Sequence, residues 1–419
     1  MKAQSKKALE RYKKKIALIR SSGIVNAWET EDEKQARINR AKKDVKYMVE
    51  YYFPHYATSE CADFHVEFAN MVKKNPTFKG FAEWGRAQAK SVWNDILIPF
   101  WLWMNGEPVY LVLIGNSYKR ATQLLDDIKA EFEANPRIIA DFGEQQNQGS
   151  WEDGFFITKG GFIGQALGTG QSVRGLRVGS RRPTHIVPDD IEIKDTIKNP
   201  KRQMEIVKWI ESDLIPTMDG SIRRFIQANN RAYPIMIQTL LQERHPKWKI
   251  HHVKAYNPVN YEPTWYQKYN KEYFKNIEED IGRLSALAEF NNEPHVEGSI
   301  FKEEQIQWAK MPRIDHMKII IAHWDVAFAG SATSDYNAVK VWGLKDRDFW
   351  MIDCFVKRTK RRAPIVWMCE FQKALPENVI VHWRFEAQFW NDEVKRTIKE
   401  VQDETKVFLN LSKSPNPKG

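Results

Sequence analysis

The chain has 419 residues, 42% apolar and 28% charged, which is a folding composition rather than a disordered one. Lys+Arg 64 against Asp+Glu 54 leaves a formal charge of +10, which suits a polyanionic partner without identifying it. Three cysteines (Cys61, Cys354, Cys369) with no CxxC pair exclude a disulfide scaffold and a cysteine-rich zinc site and suit a reducing cytoplasm. No apolar run reaches the roughly 18 residues of a membrane span, and the N-terminus lacks the apolar stretch of a signal peptide.

Residues 1–55 read as a basic helical arm. Its first 20 residues carry Lys2, Lys6, Lys7, Arg11, Lys13, Lys14, Lys15 and Arg20 against Glu10. Such a run suits a solvated helix, or an arm that touches nucleic acid or a partner subunit. Helical text over 30–53 ends at Pro54. Residues 56–256 alternate apolar strands with amphipathic helices. The strands are Val109–Ile114, a hairpin of Phe155–Ile157 with Phe162–Ile163, His185–Val187 and Ile222–Gln227. This order predicts an α/β domain with a mostly parallel sheet. Residues 257–312 are polar, helical and poor in strands, and read as a linker region. Residues 313–419 hold a second strand-rich block, with Lys318–Ala322, Ala338–Trp342, Phe349–Asp353 and Val379–Val381 as strands and a helix near 364–375.

Chemistry concentrates first in Trp84-Gly85-Arg86-Ala87-Gln88-Ala89-Lys90-Ser91, which leads into an amphipathic helix from Val92 to Trp101. Lys-Ser at a helix start is the end of a phosphate-binding P-loop. Its backbone N–H groups point at phosphate oxygens, the lysine neutralises the β/γ charge, and the hydroxyl ligates Mg²⁺. The full pattern has glycine where Trp84 and Ala89 stand. The second half of such a site is an acid at the end of a buried strand, with another acid beside it to orient water. Thr184-His185-Ile186-Val187-Pro188-Asp189-Asp190-Ile191-Glu192 supplies both. Asp189 would serve the metal and Asp190 would polarise water. Between the halves, a glycine-rich stretch carries Arg174, Arg177, Arg181 and Arg182 with no acid among them, which suits a loop near phosphates.

Together these residues resemble the large subunit of a tailed-phage terminase, the motor that packages DNA into a capsid. The shared pattern runs from about residue 60 to the end of the chain. The family spaces an arginine four residues ahead of the lysine, as Arg86 stands to Lys90, and tolerates loss of a glycine. The resemblance assigns Gly85, Arg86, Ala89, Lys90, Ser91 and Asp189 to ATP and Mg²⁺, with Arg86 stabilising the γ-phosphate. Many members have Glu where Asp190 stands, so Glu192 is a second candidate to orient water. A polar coupling segment should follow the next strand, and Asn229 in Gln227-Ala228-Asn229-Asn230 fits it.

The resemblance further implies an RNase H-like nuclease in residues 313–419. Such two-metal nucleases bring carboxylates to ions about 3.5–4 Å apart. Asp325 at the end of an apolar strand, Asp335 before the next one and Glu386 after Val379–Val381 match the family's Mg²⁺- or Mn²⁺-binding acids. A third acid is expected from a helix well beyond Glu386, and only 33 residues follow it (419 − 386), so the nuclease domain reads as C-terminally incomplete. The implied partners are double-stranded DNA, a terminase small subunit, the portal protein of the procapsid and further copies of the chain in a ring, with no membrane. The implied place is the portal vertex in the host cytoplasm. Two other readings share some of these features. A helicase-like or repair ATPase keeps the phosphate site without the second acid set, and a DNA-binding or capsid-assembly protein keeps neither activity.

Overall fold

The computed structural model describes residues 3–173, 175–295, 307–326, 336–385 and 391–413. The chain divides into two compact units, Met1–Gly298 and Ser299–Gly419. It is a mixed α/β protein with one large, mostly parallel sheet and a second, smaller sheet.

The eight strands of the first sheet are β1 (Lys79–Trp84), β2 (Tyr110–Gly115), β3 (Trp151–Glu152), β4 (Phe155–Ile157), β5 (Ile163–Gly168), β6 (His185–Pro188), β7 (Arg224–Asn229) and β8 (Lys249–Val253). Their order across the sheet is β3-β4-β5-β2-β6-β7-β1-β8. Pairing is parallel from β5 through β8, and only the β3-β4-β5 edge is antiparallel. The apolar run before Asn116 explains the centre. Alternate side chains of a strand leave by opposite faces. Leu111 and Leu113 enter one core with the helices Asp63–Lys74 and Tyr118–Ala134, while Tyr110, Val112 and Ile114 enter another with the helices Pro200–Trp209 and Ile237–Arg244. A strand apolar on both faces is what helix-covered parallel sheets demand.

Some boundaries differ from the sequence reading. The strand expected at Ile222 begins at Arg224, because residues before it sit in a turn after Gly220, whose φ is +81°. The helix expected from Val92 to Trp101 begins as a π-helical stretch, Val92–Leu97, continued by the α-helix Ile98–Met104. Pro99 lacks the N–H that would continue the α ladder, and the Ile98 N–H bonds the Trp93 carbonyl five residues back. The basic N-terminal helix, Ala3–Ser21, is not a free arm. Ile16 and Ile19 pack on Ala130 and Ala134, Tyr12 Oη donates to Glu133 at 2.7 Å, and Lys15 pairs with Asp127. Its charges surround an apolar stripe that runs along one face of the helix.

The second unit holds β9 (Ile319–Asp325), β10 (Asn337–Lys345), β11 (Asp348–Lys357), β12 (Val381–Phe385) and β13 (Asn410–Lys413) in the order β11-β10-β9-β12-β13. The first three form an antiparallel meander, and β12 and β13 join parallel after the helices Arg362–Ala374 and Asp392–Thr405. The strand expected at Val379 starts at Val381, since Val379 bonds back to Pro376 in a turn. Among the described residues no helix is long and apolar enough to cross a membrane.

Candidate nucleotide and metal site

The loop after β1 is held by backbone contacts at its base and by side chains along it. The Gly85 N–H donates to the Val253 carbonyl at 3.0 Å, and the Arg86 N–H to the Glu289 carbonyl at 2.8 Å. A Cβ on Gly85 would lie 1.7 Å from the Phe290 carbonyl oxygen, so only glycine admits this approach of the helix Arg283–Asn291. Further along, Tyr269 Oη donates to the Ala87 carbonyl at 3.0 Å. His65 Nδ1 accepts from the Ala62 N–H at 3.2 Å, so its Nε2 carries the proton and donates to the Gln88 carbonyl at 2.9 Å. Burial pushes the His65 pKa down to about 3, which keeps the ring neutral. With those carbonyls engaged, the N–H groups of Ala87, Gln88 and Ala89 make no backbone hydrogen bond among the described residues. Ala87 and Ala89 have φ of +69° and +55°. The loop thus adopts the left-handed turns of a phosphate cradle where the motif has glycine, at a cost of about 1–2 kcal/mol for each alanine.

A cleft of about 310 Å³ opens over this loop, lined by residues from Gly85 to Val92 with Asp190 and Asn230. Lys90 Nζ lies 3.6 Å from Asp190 Oδ1. The two acids after β6 part company at once, since Asp190 has φ +44°. Asp189 is fully buried and Asp190 stays half exposed. Neither Asp189 oxygen has a hydrogen bond of regular geometry, yet the Ser91 hydroxyl and the Lys90 ammonium both bear on it. Burial, and then the Asp190 charge, push its pKa up to about 7. Gly85, Arg86, Ala89, Lys90, Ser91, Asp189 and Asp190 are therefore brought together.

Glu192 sits elsewhere. Its carboxylate accepts the Ile237 and Gln238 N–H groups at 2.7 and 3.1 Å, at the start of the helix Ile237–Arg244, and Asn229 Nδ2 at 3.2 Å. Burial pushes its pKa up to about 7 against those three donors. Asn229 is thereby tied to the acidic segment. Glu83, at the end of β1, is buried and accepts from Gln242 Nε2 at 2.8 Å and from Gln238. One helix therefore links β1 to the Glu192 segment.

Residues that the sequence reading passed over complete the cleft. Glu289 Oε2 lies 3.2 Å from Arg86 Nη2 and accepts from Asn230 Nδ2 at 3.1 Å. Asp95 is 2% exposed, and neither of its oxygens has a hydrogen bond. Its signal was an acid inside the apolar run from Val92 to Leu102, where an unpaired charge is costly. Glu289 gave no local signal, because its partners are fixed by tertiary contact.

The basic stretch before β6 is partly used internally. Arg181 Nη1 donates to the Gly161 carbonyl at 2.6 Å and Arg182 Nη1 to the Leu176 carbonyl at 3.2 Å. Arg174 lies outside the described residues. Asp325 closes β9 with its residue exposed, and β12 ends at Phe385, in register with Trp324. Asp335 and Glu386 lie outside the described residues. Among the described residues no group of three or more His, Cys, Asp or Glu side chains is gathered to hold a metal.

No protein-family model matches the chain, and no curated protein matches it. Among solved structures, the chain is similar to the large terminase of a thermophilic bacteriophage in complex with ADP. The identity is 8% and the TM-score 0.34, over 85% of this chain and 83% of that one. The same terminase with ATP-gamma-S gives 9% and 0.33, over 85% and 82%. The Phi-28 gp11 DNA packaging motor gives 11% and 0.28, over 82% and 92%.

Proposed function

We propose that the chain is the ATP-hydrolysing large subunit of a viral terminase, which drives double-stranded DNA into a procapsid. One observation carries the reading. Lys90 and Ser91 at a helix start, and Asp189 and Asp190 at the end of a strand 99 residues further on (189 − 90), share one cleft whose loop leaves its N–H groups free.

In this reading Lys90 holds the β- and γ-phosphates. Mg²⁺, when bound, supplies positive charge against those phosphates, and Ser91 and Asp189 would hold it. The unpartnered Asp189 oxygens fit that ion. Asp190, half exposed beside Lys90, orients the attacking water and takes its proton. Arg86 leaves Glu289 for the γ-phosphate, and its departure changes what holds Asn230, one residue beyond Asn229. β7 lies between β1 and β6, so its end touches both halves of the site. That is how loss of the γ-phosphate reaches the Asn229 segment. Residues 56–256 form the motor domain and 257–312 the linker. Residues 313–419 form a nuclease domain that cuts concatemeric DNA with metals held by Asp325, Asp335 and Glu386. The small subunit, the portal protein and further copies of the chain are the partners, at the portal vertex.

A packaging motor must accept any sequence, so it grips backbone phosphates, and binding falls steeply with salt. The test is ATP turnover with and without linear duplex DNA across a salt series. DNA-stimulated turnover that Lys90→Ala abolishes, with binding that weakens about tenfold or more between 50 and 200 mM salt, supports the reading. Turnover that persists in Lys90→Ala contradicts the loop assignment, and a flat salt response contradicts the backbone grip.

A further inference from the structure

We propose that Asp95 is a second metal-facing carboxylate of the nucleotide cleft, acting with Asp189 on the divalent cation that accompanies a nucleoside triphosphate. This rests on the nucleotide reading given above and deepens it.

Asp95 lies four residues after Ser91. Residues at that spacing share one helix face, so Asp95 sits one turn below the hydroxyl that bears on Asp189. The turn between them is the π-helical Val92–Leu97, and Asn94 Nδ2 fixes its start by donating to the Lys90 carbonyl at 2.8 Å. Asp95 is 2% exposed and Asp189 0%, and all four of their oxygens lack a hydrogen bond. Among charged groups, Asp189 bears on Asp95 most strongly. Arg120 is a basic group that bears on both acids.

Buried polar atoms are nearly always paired, and two buried carboxylates side by side repel. A cation between them removes both costs at once. A neutral Asp95 would remove the repulsion too, but would leave its own hydroxyl unbonded among Trp93, Ile96 and Leu97. Mg²⁺ takes one or two carboxylates and completes its six positions with water and phosphate oxygens. Two acids and one hydroxyl, with no third acid gathered around them, match that demand. Asp95 then holds a water of the cation's shell or the cation itself. Its role is to raise the affinity of the site for the metal rather than for the nucleotide.

The experiment measures Mn²⁺ affinity by electron paramagnetic resonance in the presence of saturating ADP, and ADP affinity in EDTA by calorimetry. It compares the wild-type full chain with Asp95→Asn, an isosteric change. Loss of about tenfold or more in Mn²⁺ affinity, the usual effect of removing an outer metal partner, with ADP affinity in EDTA unchanged within twofold, is the expected result. Wild-type Mn²⁺ affinity in an Asp95→Asn protein that binds ADP normally overturns the proposal alone. A wild-type chain that binds no ADP overturns the nucleotide reading itself. If Asp95→Asn does not fold, Mg²⁺ alone decides. It should raise the Tm of the wild-type chain by relieving the two acids, and an unchanged Tm overturns the proposal.

Discussion

Gly85→Ala is the smallest change that separates the loop from the helix behind it. The new Cβ would stand 1.7 Å from the Phe290 carbonyl oxygen, 2.6 Å from its carbon and 3.1 Å from its Cα. All three are backbone atoms, so no side chain can swing away. Reaching even a tight 3.0 Å contact requires a shift of 1.3 Å (3.0 − 1.7). Two bonds span that seam, Arg86 N–H to the Glu289 carbonyl at 2.8 Å and Ala255 N–H to the Phe290 carbonyl at 2.9 Å. Losing both with their groups still buried costs about 2–4 kcal/mol, the range for overpacking and orphaned polar groups. At roughly 2–4 °C per kcal/mol for a unit of this size, the Tm should fall by several degrees. The displaced loop also loses its aim on phosphate, so nucleotide affinity should drop about tenfold or more, since a 1 Å misplacement removes most of a hydrogen bond's strength. Differential scanning calorimetry and a fluorescent-nucleotide titration read the two effects. A variant that melts and binds like wild type would refute the claim that this contact holds the loop.

Three further outcomes are expected. Ala89→Gly should raise stability by up to about 1 kcal/mol, because φ of +55° suits glycine, and calorimetry would show the opposite sign if the turn were unstrained. Glu289→Gln should weaken the hold on Arg86 and Asn230 and tighten binding of an ATP analogue more than of ADP, which paired titrations check. Glu192, pushed up to about 7 by burial, keeps a proton in the folded chain that the unfolded chain gives up near 4.5. The stability this contributes is present below about 4.5 and is lost as pH rises through about 7, by up to about 3 kcal/mol. Glu192→Gln should therefore gain on wild type in Tm between pH 5 and pH 8, and parallel curves would contradict the assignment.

Much of the fold was legible because hydrophobic periodicity records it. Val109–Ile114 is apolar on both faces and lies in the middle of a sheet covered on both sides. The Lys-Ser helix start and the Asp189-Asp190 strand end were legible for another reason, since both are local backbone devices. Glycine was a poorer guide. The motif's glycine positions, 84 and 89, mark left-handed turns in the usual loop, yet here Trp84 is buried in β1 and alanine takes the strain at 89. The glycine present at 85 serves close approach instead. Glu192 shows the other gap, because the N–H groups it accepts belong to a helix that begins 45 residues later (237 − 192). The basic N-terminal helix misled by charge alone. Ile16 and Ile19 were in the text, but only the presence of Ala130 and Ala134 on another helix made them an interface.

The most direct test is where phosphate goes. In a solved complex of the chain with Mg²⁺ and ADP, the account predicts the β-phosphate over the N–H groups of Ala87 to Lys90, within reach of Lys90 Nζ and the Ser91 hydroxyl, with Asp189 behind the metal. ADP bound outside this cleft, such as in the cavity lined by Tyr233 and Leu284, with Lys90 left facing Asp190, would contradict it.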